Sequence, residues 1–131
     1  MSAARPRIAC LGAGRMGRGI AVAFAYAGHA VTLIDVKPRS DERFGLLKTE
    51  AVGEISNTLA SLSRFGLLAE ADVDAIVSRV SIVSGVEMAA ALAGAGIVFE
   101  GVPEVVELKR EVLAAASKCA GGETVIADLS A

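Results

Sequence analysis

Ile8-Ala9-Cys10-Leu11-Gly12-Ala13-Gly14-Arg15-Met16-Gly17-Arg18-Gly19-Ile20 is the stretch that decides the fold. Residues 8–11 form an apolar run of the kind a short buried strand shows. Gly12, Gly14 and Gly17 then fall in G-x-G-x-x-G spacing, and a helix-forming run over residues 20–27 follows at once. In that setting Gly12 permits a tight turn out of the strand. Gly14 lets the backbone approach a pyrophosphate with no Cβ in the way, and Gly17 lets the helix pack closely on the strand. The helix N-terminus offers unpaired N–H groups and a positive dipole end to phosphates.

Three glycines alone are a weak signal; the motif also requires a second strand and an acid. Gly28 is placed to close the helix as its C′ residue. Ala30-Val31-Thr32-Leu33-Ile34 reads as that strand, with Asp35 at its C-terminal end. Asp35 lies 18 residues after Gly17, near the ~20-residue spacing of the acid that binds an adenosine ribose. The competing interpretation is a plain βαβ unit whose Asp caps a loop. A carboxylate here accepts hydrogen bonds from ribose hydroxyls and repels a 2′-phosphate, which favours NAD over NADP. Lys37 and Arg39 are close enough to meet a phosphate, but beside Asp35 they read as solvated loop charges.

Size and composition agree with one α/β domain. The chain has 131 residues, 53% of them hydrophobic and only 4% aromatic. An Ala, Val, Ile and Leu interior of this kind suits parallel strands covered by helices on both faces. A net charge of −2 gives no reason to expect nucleic acid or an anionic membrane as partner. No apolar run approaches the ~20 residues that span a bilayer. Arg5 and Arg7 precede the first strand without the apolar region of a signal peptide. Cys10 and Cys119 lack metal-ligand spacing, so no metal is expected, and both read as reduced thiols of a cytoplasmic protein. His29, the only histidine, follows the capping glycine and reads as a turn residue rather than a catalytic base.

Along the chain, residues 1–6 read as a frayed tail. Pro38 and Ser40-Asp41 mark a loop, with Ser40 or Asp41 able to cap a helix. Phe44, Leu47, Ala51, Ile55, Leu59 and Leu62 recur at helical steps over residues 43–65, and Gly66 stops them. A short helix is predicted over 70–78. This crossover is roughly three times the dozen residues it needs, so it is predicted to form a helical hairpin projecting from the sheet. It serves binding, packing or a dimer surface equally well. Residues 80–83 read as an edge strand, 86–92 as an amphipathic helix and 97–100 as a central strand. Gly101-Val102-Pro103 then breaks the pattern at the edge where ligands sit. Residues 104–118 read as a helix, Gly121-Gly122 as a turn and residues 124–127 as a fifth strand. The expected class is α/β, a Rossmann-type doubly wound parallel sheet with a long helical insertion after the second strand.

These stretches resemble the NAD-binding N-terminal domain of the 3-hydroxyacyl-CoA dehydrogenase family. The similarity is carried by residues 12–20, by Ala27-Gly28-His29, by Val31-Thr32-Leu33-Ile34-Asp35, by Glu100-Gly101-Val102-Pro103-Glu104 and by Glu107-Leu108-Lys109. It implies that residues 1–131 are one NAD-binding domain. Gly12, Ala13, Gly14, Arg15, Met16 and Gly17 would hold the phosphates, and Asp35, Val36 and Lys37 the adenosine side. Gly101, Val102, Pro103 and Glu104 would lie along the nicotinamide. Lys109 would reach the nicotinamide ribose, or else pair with Glu104 or Glu107 on its own helix.

Family members carry a serine- and threonine-rich run after the last strand, where this chain has Asp128-Leu129-Ser130-Ala131. Ser130 is therefore the one candidate substrate hydroxyl there. The insertion also lacks the lysine-rich character of some CoA-binding members, Arg64 being one of its few basic residues. Both departures count against a CoA thioester. The family's histidine–glutamate pair and its helical substrate and dimerisation domain would follow Ala131, so no catalytic residue is assigned and the fragment alone is expected to be inactive. The implied activity is oxidation of a 3-hydroxyacyl-CoA or related 3-hydroxy acid to the 3-keto compound, with hydride transfer to NAD, in a cytoplasmic homodimer of fatty acid metabolism. The alternatives are a 3-hydroxyisobutyrate-type dehydrogenase or a stand-alone NAD(H)-binding module.

Overall fold

A computed structural model of the protein describes residues 5–100 and, for the backbone alone, residues 125–128. Its elements are β1 (Ile8–Leu11), α1 (Arg15–Tyr26), β2 (Val31–Asp35), α2 (Asp41–Arg64), α3 (Val73–Val77), β3 (Val80–Ser84), α4 (Met88–Ala93), β4 (Ile97–Glu100) and β5 (Val125–Asp128). Single 3-10 turns, Glu70–Asp72 and Gly85–Glu87, lead into α3 and α4. The five strands are parallel, in the order β3-β2-β1-β4-β5. From β1 the chain steps outward through β2 to β3, then crosses to β4 on the other side of β1. The order reverses beside β1, which places a crevice at the C-terminal ends of the strands.

Alternation along the strands divides the interior into two layers. On one face Ile8, Cys10, Val31 and Leu33 meet Ala21 and Ala25 of α1, Ala51, Ile55 and Leu59 of α2, and Val73 and Ile76 of α3. On the other, Ala9, Leu11, Ile34 and Val98 meet Leu92 of α4 and Ala95. All four residues of β1 are buried, so the glycine turn that follows grows from the deepest strand.

The long insertion is helical as expected, and its body packs on α1 and α3. The cause is its apolar stripe. Ala51, Ile55 and Leu59 are buried, and Phe44, Leu47 and Leu62 pack against them partly buried. Only the tip stands out, where Gly66 turns at φ +78° and Phe65 is 80% exposed. Ser40 is the N-cap of α2: its hydroxyl accepts from the Arg43 N–H at 3.2 Å, while Asp41 and Glu42 complement the dipole in the first turn. Gly28 ends α1 at φ +101°, with Gly28 N–H donating to Ala25 and His29 N–H to Phe24, the two bonds of a Schellman cap.

Several expectations are corrected. The tail is not frayed at residues 5 and 6. Arg5 donates to the Ala27 carbonyl at the C-terminus of α1, where a cation is favoured, and the Pro6 carbonyl meets His29 Nδ1 at 2.8 Å. The fifth strand runs one residue later than predicted, because Asp128 pairs in register with Glu100. The helix expected over 86–92 begins as a 3-10 turn and becomes α-helical only at Met88. The predicted helix over 104–118, Cys119 and the Gly121-Gly122 turn lie outside the described residues. Among the described residues no helix is long and apolar enough to cross a membrane, and no cluster of residues could hold a metal ion.

Candidate functional site

An open cleft of about 250 Å³ lies at the C-terminal ends of β1 and β2. One wall is the glycine turn, Gly12 through Gly17, and the other is Asp35, Val36, Lys37 and Arg39, with Leu47 of α2 closing one side. The turn leaves β1 with Gly12 at φ +117°, in the region that favours glycine, and its N–H donates to the Ile34 carbonyl at 2.8 Å. That bond continues the β1–β2 ladder up to the bend.

Gly17 cannot carry a side chain. A Cβ there would lie inside the contact radius of the Gly12 carbonyl oxygen and 3.5 Å from Leu33 Cδ2. The close approach expected of this glycine is therefore first to the turn and then to β2. Gly14 is the opposite case: a Cβ there would meet nothing within 4 Å and would project into open space. Gly14 is also the N-cap of α1, and no side chain caps its amides. The first-turn N–H groups of a 12-residue helix thus stay available where the cleft opens.

The turn is braced from behind by Arg18. This residue is 7% exposed. Its Nε donates to the Ala13 carbonyl at 3.0 Å, and one terminal nitrogen donates to Glu50 Oε1 at 3.2 Å and Glu54 Oε2 at 2.7 Å. Burial pulls its pKa down, but hydrogen bonds to Glu54 and Glu50 and their charges outweigh it, and the guanidinium is held above its ordinary pKa. One side chain therefore links the glycine turn to the insertion. Sequence reasoning missed it. The available signal was an Arg on the inner face of α1 together with two acids four residues apart on α2.

Asp35 ends β2 with its side chain only 5% exposed, and its Oδ2 accepts from Arg39 Nε at 2.7 Å. Arg39 was expected to be a solvated loop charge. Instead its side chain, 30% exposed, folds back across the Pro38 loop onto Asp35. A carboxylate this buried needs a counter-charge, and Arg39 is the residue within reach. Lys37 stays exposed at the rim. Gly12, Ala13, Gly14, Arg15, Met16, Gly17, Asp35, Val36 and Lys37 are thus brought to one cleft. Gly101, Val102, Pro103, Glu104, Lys109 and Ser130 lie outside the described residues.

His29 precedes β2, at the end of the sheet away from the cleft, and its ring sits edge-on to Phe24. It is the turn residue that was expected. Cys10 is a free, buried thiol on β1 whose pKa burial pushes up to about 12, so it is protonated and inert at neutral pH.

A switch-point cleft, an uncapped helix N-terminus behind three glycines and an acid ending the second strand define a dinucleotide-binding domain. Comparison with known proteins narrows this class. The family model described as "3-hydroxyacyl-CoA dehydrogenase, NAD binding domain" matches residues 7–130. The chain belongs to this family of NAD-binding domains.

Among curated relatives, a lambda-crystallin homolog from Bos taurus is 32% identical over 130 residues, covering 98% of this chain and 38% of that protein. An L-carnitine dehydrogenase from Streptomyces coelicolor is 33% identical over 108 residues, covering 82% of this chain and 30% of that one. Among solved structures, the (S)-3-hydroxybutyryl-CoA dehydrogenase of Ralstonia eutropha superposes with a TM-score of 0.79 at 27% identity, covering 95% of this chain and 41% of that one. The 3-hydroxybutyryl-CoA dehydrogenase of Escherichia coli gives 0.80 at 28%, covering 98% and 25%. The chain spans less than half the length of each of these relatives.

Proposed function

We propose that this chain is the cofactor half of an enzyme that oxidises a 3-hydroxyacyl-CoA, or a related 3-hydroxy acid, to its 3-keto form. The family match and the activities of the relatives support that reading. The observation that carries it is the pairing of a bare helix N-terminus at Gly14 with a buried acid at Asp35 across one cleft.

The residues present fit NAD. The open space at Gly14 is where a diphosphate would approach the amides, and Asp35 stands where an adenosine ribose would follow. When bound, NAD supplies the hydride acceptor. The chain's own residues do the rest of the binding. The turn from Gly12 to Gly17, with Ala13, Arg15 and Met16, holds the phosphates through backbone N–H groups. Asp35 accepts from the ribose hydroxyls and disfavours a 2′-phosphate, while Val36 and Lys37 flank the adenosine. We further assign Gly101, Val102, Pro103, Glu104 and Lys109 to the nicotinamide side and Ser130 to the substrate.

A general base must lie within hydrogen-bond reach of the substrate hydroxyl, and His29 is remote from the cleft. We therefore place the base, and the surface that makes a homodimer, in a helical domain following residue 131. Cytoplasmic fatty acid metabolism is the setting that this substrate class and the free Cys10 thiol support. Calorimetry with NADH and NADPH tests the binding half of the proposal. NADH is expected to bind and NADPH to bind weakly; equal affinity for the two would remove the role given to Asp35.

A further inference from the structure

Arg39 is a cation that the cofactor reading does not use, standing on the wall of the cofactor cleft. Its hydrogen bond to Asp35 is donated by Nε, and among the described residues neither terminal nitrogen of its fork donates one. Arg39 also lines a second cleft of about 480 Å³, with Val36, Pro38, Gly85 and Met88, at the C-terminal ends of β2 and β3. It thus sits between the space beside the ribose acid and the space beyond it. A guanidinium with two free donors in a planar fork matches a phosphate.

We propose that Asp35 and Arg39 form one specificity element, in which the carboxylate ties up a guanidinium that is otherwise placed to bind the 2′-phosphate of NADP. With both present, the pair is charge-balanced. Asp35 keeps an oxygen for ribose hydroxyls, and a 2′-phosphate meets a carboxylate in front of the cation. With Asp35 removed, the repulsion disappears and a cation with unused donors remains at the same place. Preference for NAD is then the product of two residues rather than of the acid alone. This rests on the assignment of the cleft to NAD.

The test is a double-mutant cycle on the full chain, with NADH and NADPH affinities measured by calorimetry and folding checked by circular dichroism. Wild type is expected to bind NADH at least about tenfold more tightly than NADPH, since the acid's hydrogen bonds are charge-assisted. Asp35→Ala, or Asp35→Asn where the cavity impairs folding, should weaken NADH and tighten NADPH, each by about tenfold. Arg39→Ala, which strips the buried Asp35 carboxylate of its counter-charge, should give no gain in NADPH affinity. In Asp35→Ala/Arg39→Ala the gain in NADPH affinity should vanish. A double variant that keeps the gain overturns the proposal and points to Lys37. An Asp35→Ala protein with unchanged NADPH affinity overturns it as well. Failure of wild type to bind NADH instead removes the assignment of the cleft, and this proposal with it.

Discussion

The two ends of the cleft are built from different materials. The end proposed for phosphates is backbone: three glycines, an uncapped helix terminus and open space where a Cβ of residue 14 would project. The end proposed for the adenosine is side chain: a buried carboxylate and the guanidinium folded onto it. A backbone site is specified by what the sequence omits, and its geometry follows once the strand and helix form. A side-chain site depends on which of several nearby charges folds inward. The first end suits a group that every dinucleotide shares, and the second suits the part in which dinucleotides differ.

Substitutions at the glycines give the sharpest division. Gly17→Ala should cost about 3 kcal/mol of stability or prevent folding, because the added methyl meets backbone that cannot move aside. Chemical denaturation measures it. Gly14→Ala should leave stability within about 1 kcal/mol, as expected for a cap position without a side-chain contact. The same change should weaken NADH by about tenfold or more through lost charge-assisted hydrogen bonds. If both glycines behaved alike, the phosphate end would not be a separable backbone device.

Removing the brace behind the turn should have a smaller effect. Arg18→Met should cost about 1–2 kcal/mol, since it strips the Ala13 carbonyl of its partner, while the exposed acids on α2 lose little. Urea denaturation reads that loss, and calorimetry with NADH reads any loosening of the turn. Cys10 probes the root of the same end with the least perturbation. In a Cys119→Ser background, native protein at pH 8 should resist iodoacetamide and unfolded protein should react. Its raised pKa also fixes a sign. Folding retains a proton that the unfolded thiol loses near its ordinary value of 9.0, so stability falls as pH rises from there through about 12. An alkaline titration of the unfolding midpoint, compared with Cys10→Ala, checks this.

The same contrast explains what could be read from the chain. Residues 8–35 were legible because strand, glycine turn, helix, cap and acid each follow a local rule, although the helix starts at Arg15, within the glycine motif, and the second strand takes in Asp35 itself. The Ser40 cap and the Ala51, Ile55 and Leu59 stripe were legible for the same reason. Arg39 was not, because its four-residue separation from Asp35 runs through a loop, where no helical spacing predicts a contact. Arg18 was hidden because its partners, Glu50 and Glu54, are more than thirty residues away. Arg5 and Pro6 misled through position, since terminal residues are usually loose and these two are docked onto the end of α1. The one-residue shift of β5 reflects pairing with β4 that residues 124–128 do not encode by themselves. The turn at residues 101–104 and Lys109 rest on family similarity and lie outside the described residues.

Because the cradle grows from β1, whose four residues are sealed on both faces, its amides are oriented before any ligand arrives. The entropy that glycines surrender on ordering is lost during folding and not during capture. Amide hydrogens of Ile8–Leu11 should consequently be among the slowest in the molecule to exchange with deuterium, with or without nucleotide. A diphosphate bound as proposed would meet a pre-set mould rather than a loop that closes.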